Sequence, residues 1–191
     1  MHIKDLDFKK IKKIKKILIN LELAVNNKML KIALKNKPNF VCIVPENRKE
    51  ITTEGGLNIK KNNKIITTVI KKLNNNKIRT SLFINPNLKD IKLAKKIGSR
   101  CIEIHTGIIS NKIKNKQSYV NDLENIKKCA KLGKSLGLEV HAGHGIDYKT
   151  ARILSRIKYI EEFNIGHFII GESIFDGFKH TIKKFKKIIK S

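Results

Sequence analysis

The sequence predicts an α/β protein of the (β/α)8 TIM-barrel type, a single domain over residues 1–191, with about six strands of the eight that close such a barrel. Three observations predict it. Strand-length runs, apolar or alternating, take turns with amphipathic helical stretches, the pattern of parallel strands joined by right-handed crossovers. Three strands place a carboxylate, Glu22, Glu103 or Glu139, on the face opposite their aliphatics. An open sheet covered by helices on both faces would strand those charges, whereas a barrel points them into its lumen. The last two strands each end in a glycine-histidine stretch, at the end where a parallel barrel builds its sites.

The elements follow in order. Residues 4–18 open with Asp5 as a cap and form an amphipathic helix with Phe8, Ile11, Ile14 and Leu18 as its apolar stripe. Residues 19–24 change to a period of two, with Leu21 and Leu23 on one face and Asn20, Glu22 and Ala24 on the other. A helix over 26–35 stops before Pro38, and the almost unbroken apolar run 40–45 is a strand buried on both faces. Residues 46–56 make a connection longer than most. Then come a helix over 61–73, a strand over 78–84 closed by Asn85-Pro86-Asn87, and a helix over 88–97 stopped by Gly98. Residues 101–107 form a strand with Ile102 and Ile104 opposed to Cys101, Glu103 and His105. A polar loop leads to a helix over 120–136, a strand over 138–145, a short helix over 150–157 and a strand over 162–165. From Phe168 the chain is expected to be helical, with Phe178, Ile182, Phe185 and Ile189 inward and Lys179, Lys183, Lys186, Lys187 and Lys190 solvated.

Hydrophobic residues make up 40% of the chain, which excludes a disordered protein and permits a sizeable core. No apolar run reaches the length of a membrane span and charged residues follow Met1 closely, so a cytoplasmic protein without a membrane partner is expected. Cys42, Cys101 and Cys129 are far apart and suit reduced, packed thiols. The formal charge of +26 would ordinarily suggest nucleic acid. Lysine, isoleucine and asparagine are abundant together everywhere, however, and aromatics are 6% with no Trp, so the stacking residues of a nucleic-acid site are lacking and no such partner is expected.

The stretch Leu138-Glu-Val-His-Ala-Gly-His-Gly145 runs a strand into two glycines and presents His144, an imidazole able to donate or accept a proton near neutrality, at the strand's carboxyl end. Glu22 and Glu103 sit among apolar neighbours, so burial should raise their pKa and fit them for proton transfer; the alternative is a pair of structural carboxylates held by lumen arginines or lysines. His141 and His144 lack a third ligand at a recognisable spacing, and no metal is expected. Gly166 and His167 open a helix directly after a strand and offer bare N–H groups to an anion. Arg48, Lys49, Thr52, Thr53 and a Gly55-Gly56 hinge give residues 46–56 the makeup of a lid over an anionic ligand.

Asn20-Leu-Glu-Leu-Ala24, Val44-Pro-Glu-Asn-Arg48 with Thr52-Thr-Glu-Gly-Gly56, Cys101-Ile-Glu-Ile-His-Thr-Gly107, His141-Ala-Gly-His-Gly145 and Asn164-Ile-Gly-His167 together resemble the pyridoxine 5'-phosphate synthase family, in order and at its spacing. The resemblance implies a barrel enzyme of vitamin B6 synthesis, a transferase and homo-oligomer. Such an enzyme condenses 1-deoxy-D-xylulose 5-phosphate with 3-amino-2-oxopropyl phosphate to pyridoxine 5'-phosphate, phosphate and water, with no metal or organic cofactor. By position it implies that Glu22 is the carboxylate base, Glu103 the transition-state stabiliser and His144 the proton donor. It further implies that His2 and Thr52 hold the deoxyxylulose phosphate, and that Gly145, Gly166 and His167 hold the amino-ketone phosphate. Two departures stand out. Family members begin with a strand ending in Asn-x-Asp-His, a helix and a strand ending in His-x-Arg, which this sequence lacks; an upstream extension is expected to supply them, and the 191 residues alone are expected to be inactive. The other departure is His141, where a different polar residue is expected. The alternatives are a non-catalytic, phosphate-binding remnant of the family and, from another class, a basic nucleic-acid-binding module.

Overall fold

Among the described residues, six strands lie side by side in chain order and every neighbouring pair is parallel: β1 (Asn20–Ala24), β2 (Phe40–Val44), β3 (Arg79–Ile84), β4 (Cys101–His105), β5 (Glu139–Gly143) and β6 (Glu162–Asn164). The computed structural model describes residues 5–14, 16–45 and 55–190. The helices among these are α1 (Asp5–Lys12), α2 (Asn27–Asn36), α3 (Asn63–Asn75), α4 (Leu88–Lys96), α5 (Gly107–Lys114), α6 (Val120–Ser135), α7 (Tyr148–Leu154), α8 (His167–Asp176) and α9 (Phe178–Lys190). None is long and apolar enough to cross a membrane.

The period of two separates the faces as expected. Leu23, Val41, Ile43, Leu82, Ile84, Ile102, Ile104 and Val140 are buried on the helix side and join the main core. The other face carries the polar set and curls inward. Cys42 on β2 and Asn164 on β6 both reach one carboxylate oxygen of Glu103 on β4, at 3.5 and 2.6 Å. A flat sheet would hold β2 and β6 roughly 19 Å apart, too far for two side chains to share that oxygen. Cys42, Glu103 and Asn164 thus form one interior layer drawn from alternate strands, as in a barrel. Nearer the amino ends, Arg79 on β3 pairs with Glu139 on β5 and stacks 3.9 Å from the centre of the Phe40 ring. The His141 ring completes this plug between Glu139 and Glu162, at 3.0 and 3.4 Å.

Local signals set several ends. Asn26, Asn87 and Asp147 accept a hydrogen bond from the first turn of α2, α4 and α7, the short polar side chains replacing the carbonyls those N–H groups lack. All three cysteines are free and buried.

Three expectations need correction. The helix expected over 4–18 ends at Lys12, because only Phe8 of its stripe is buried; Ile14 and Leu18 are 53% and 68% exposed, so no packing sustains further turns. The loop expected after β4 contains α5, whose Ile109 and Ile113, four apart, are buried on one face. The helix expected from Phe168 onward is two helices, broken at Gly177, whose φ of +75° suits a residue without a side chain. The buried stripe of α9 is therefore Thr181, Phe185 and Ile188, and Phe178 is exposed. Thr181 tolerates burial because its hydroxyl donates to the Gly177 carbonyl at 3.1 Å.

Of the expected lid, residues 46–54, including Arg48, Lys49, Thr52 and Thr53, lie outside the described residues. Gly56 docks against the residue that follows β3. Its N–H donates to Asn85 Oδ1 at 2.9 Å, and a Cβ there would stand 2.2 Å from the Asn85 nitrogen.

Candidate active site

A cavity of about 430 Å³ opens at the carboxyl ends of the strands. Every strand or its following residue lines it: Asn20 and Glu22 from β1, Val44 from β2, Phe83 from β3, Glu103 from β4, His144 after β5, and Asn164 to His167 at the end of β6. A more apolar cavity of about 580 Å³ continues past His144 and Gly145 along α8. Glu22, Glu103, His144, Gly166 and His167 therefore converge on one mouth, and Gly145 lies beside it. His2 and Thr52 lie outside the described residues.

Glu103 is the buried carboxyl of this mouth. It is 5% exposed, and burial raises its pKa from 4.5 to about 7, opposed by the hydrogen bond from Asn164 and assisted by the nearby charge of Glu22. Its carboxyl reaches Asn164 only by leaning across β5 at Gly143. A Cβ at position 143 would lie 1.9 Å from Glu103 Oε1. Gly143 is thus required by close approach, and the sharp turn falls one residue later, at His144, whose φ is +78°. That conformation is costly for a residue with a side chain. Thr106 holds it in place, its hydroxyl lying 2.8 Å from the Gly143 carbonyl and 2.7 Å from that of His144. Glu22, on the exposed inner edge, also has its pKa raised by desolvation.

His105 is the site neighbour to which the sequence assigned no role. Its ring is buried, 4.9 Å from the centre of the His144 ring and edge-on to Phe83 at 5.2 Å, and neither ring nitrogen has a hydrogen-bond partner among the described residues. Burial, with the His144 charge second, lowers its pKa from 6.5 to about 4. The unfolded chain therefore takes up a proton that the folded chain refuses, and stability present above pH 6.5 is lost as pH falls toward 4. His105→Phe should flatten that acid-side loss, read from thermal midpoints at several pH values; an unchanged slope would remove His105 as its cause.

Cys101, Glu139 and His141 bring possible ligand atoms within 4.8 Å of one another, a grouping that spacing along the chain concealed because it spans two strands. Arg79 and the His141 ring already engage the Glu139 oxygens, and Glu162 faces the other nitrogen of that ring. Arg79 and His141 hold the Glu139 carboxyl below its usual range despite partial burial. The grouping is an ion-pair plug. Glu139 is thus a carboxylate held by a lumen arginine, the arrangement raised as the alternative for Glu22 and Glu103.

A family model described as "Pyridoxal phosphate biosynthesis protein PdxJ" matches residues 1–191. The chain belongs to the PdxJ family. A pyridoxine 5'-phosphate synthase of Pelagibacter ubique (strain HTCC1062) is 62% identical over 187 residues, covering 98% of this chain and 78% of that protein. A pyridoxine 5'-phosphate synthase of Ehrlichia ruminantium (strain Welgevonden) is 41% identical, with 98% and 77% covered. Barrel likeness extends to solved structures far outside the PdxJ family. One described as "Native KDPGal structure" superposes with a TM-score of 0.64 at 10% identity, covering 98% of this chain and 76% of its own. The tryptophan synthase A-subunit of Pyrococcus furiosus does so with 0.60 at 13%, covering 96% and 70%. These distant likenesses concern the fold alone.

Proposed function

We propose that this PdxJ-family enzyme forms pyridoxine 5'-phosphate from 1-deoxy-D-xylulose 5-phosphate and 3-amino-2-oxopropyl phosphate at the mouth lined by Glu22, Glu103 and His144. One observation carries the assignment: two carboxyls of raised pKa and an imidazole share a cavity with the first turn of α8. Building a ring from two keto-phosphates requires protons to be taken from carbon or nitrogen and given to departing oxygen. Glu22 serves as the base, His144 as the proton donor, and Glu103 stabilises charge that develops between them. The backbone N–H groups at Gly166 and His167, where α8 begins without an acidic residue in its first turn, seat the phosphate of the amino-ketone together with Gly145. His2 and Thr52 take the other phosphoester.

The enzyme works in the cytoplasm as a homo-oligomer, with phosphorylated small molecules as its partners and neither nucleic acid nor membrane. Retention on a polyanion that sugar phosphates fail to displace would count against this choice of partners. The deciding experiment measures pyridoxine 5'-phosphate made by the protein carrying its native N-terminus. His144→Asn or Glu22→Gln should lower turnover by roughly 10²–10⁴-fold, the scale for losing general acid–base help. Unchanged turnover in both variants would remove the role assignment.

A further inference from the structure

We propose that Asn164 is a positioning residue for Glu103: it fixes the direction of the carboxyl by gripping Oε2, while the side-chain-free bay over Gly143 receives Oε1. Asn164 Nδ2 donates to Oε2 at 2.6 Å, and the Cys42 thiol donates to the same oxygen from the opposite side at 3.5 Å. Burial holds Cys42 well above the usual thiol range, so its proton stays in place to donate. One oxygen is thus fastened by two donors on strands either side of β4, and the other has its place defined by the absence of a Cβ on β5. The carboxyl is left a single orientation.

The grip also joins two parts of the mouth. Asn164 is the last residue of β6, two positions before Gly166 at the α8 N-terminus. Whatever seats a phosphate at that helix end also sets the strand end from which Asn164 reaches Glu103. Among the described residues, the charged and titratable groups around Glu103 are Glu22 on β1, Cys42 on β2, His141 on β5, Glu162 on β6 and His144 at the mouth. Of the two hydrogen bonds to Oε2, that from Asn164 is the shorter, at 2.6 Å against 3.5 Å from Cys42.

The inference rests on Glu103 acting as proposed above, so its test has one arm independent of turnover. Asn164→Leu keeps size and removes the donor; Asn164→Asp replaces the donor with an acceptor. Carboxyl carbon NMR of glutamate-labelled protein reads the Glu103 titration directly. Loss of a hydrogen bond to the charged form should move the midpoint upward, by roughly one pH unit in the Leu variant and further in the Asp variant. In the active enzyme, kcat should fall about 10–100-fold with KM nearly unchanged, and the pH–rate limb belonging to Glu103 should move with the NMR midpoint. An unmoved midpoint in both variants overturns the inference. A moved midpoint beside a Glu103→Gln variant of full turnover would leave Asn164 as the holder of Glu103 and overturn the role of Glu103 itself.

Discussion

Glu103→Gln should lower turnover roughly 10²–10⁴-fold and at the same time stabilise the protein above pH 7. Both effects come from one buried carboxyl. Its folded pKa of about 7 stands above the ordinary 4.5, so the folded chain keeps a proton that the unfolded chain releases as pH rises between those values. The folded state therefore loses stability across that window, and the loss is complete once pH exceeds about 7. At about 1.4 kcal/mol per pH unit, the full cost is roughly 3 kcal/mol, a sizeable share of the total stability of a single domain. Gln keeps an oxygen for Asn164 and carries no charge, so the variant escapes the cost. Urea midpoints measured at pH 5 and pH 8 would separate: the variant should gain at pH 8 and little at pH 5. A variant no more stable than its parent at pH 8 would mean that burial does not strain Glu103.

Gly143→Ala should disable the site as thoroughly as removing the carboxylate. The alanine methyl would stand 1.9 Å from the present position of Glu103 Oε1, a separation no pair of unbonded atoms tolerates. Two escapes exist: the carboxyl swings away from Asn164, or β5 moves outward on its helix-covered side, where its own Val140 and Ala142 are fully buried. The side chain is the softer of the two. Overpacking should cost about 1–3 kcal/mol of stability, while turnover should drop by roughly 10²-fold or more. Kinetics with a control at Gly171, which has open space around its Cβ position, gives the comparison. Full activity in Gly143→Ala would show that the direction of the Glu103 carboxyl is immaterial.

The faces of the strands were legible in residue order. The alternation of Leu21 and Leu23 with Glu22, and of Ile102 and Ile104 with Glu103, follows from a backbone that sends successive side chains to opposite sides. The glycine-histidine ends of the last two strands were legible for the same local reason: a strand stops where the chain turns, and in a parallel barrel those stops share one rim. Helices without a strong signal were harder. α5 begins at a glycine and shows only Ile109 and Ile113 as its inward pair, and the register of α9 depended on the break at Gly177.

Residue order alone thus determined which side chains face inward and at which end of the strands the candidate site residues gather. Only the tertiary structure decided which inward groups meet. Asn164 and Cys42 each lie 61 positions from Glu103, and Arg79 lies 60 from Glu139. The physical reason is curvature: a period of two reports the face of a strand, whereas contact across alternate strands depends on how tightly the whole sheet bends, to which all six strands and their covering helices contribute.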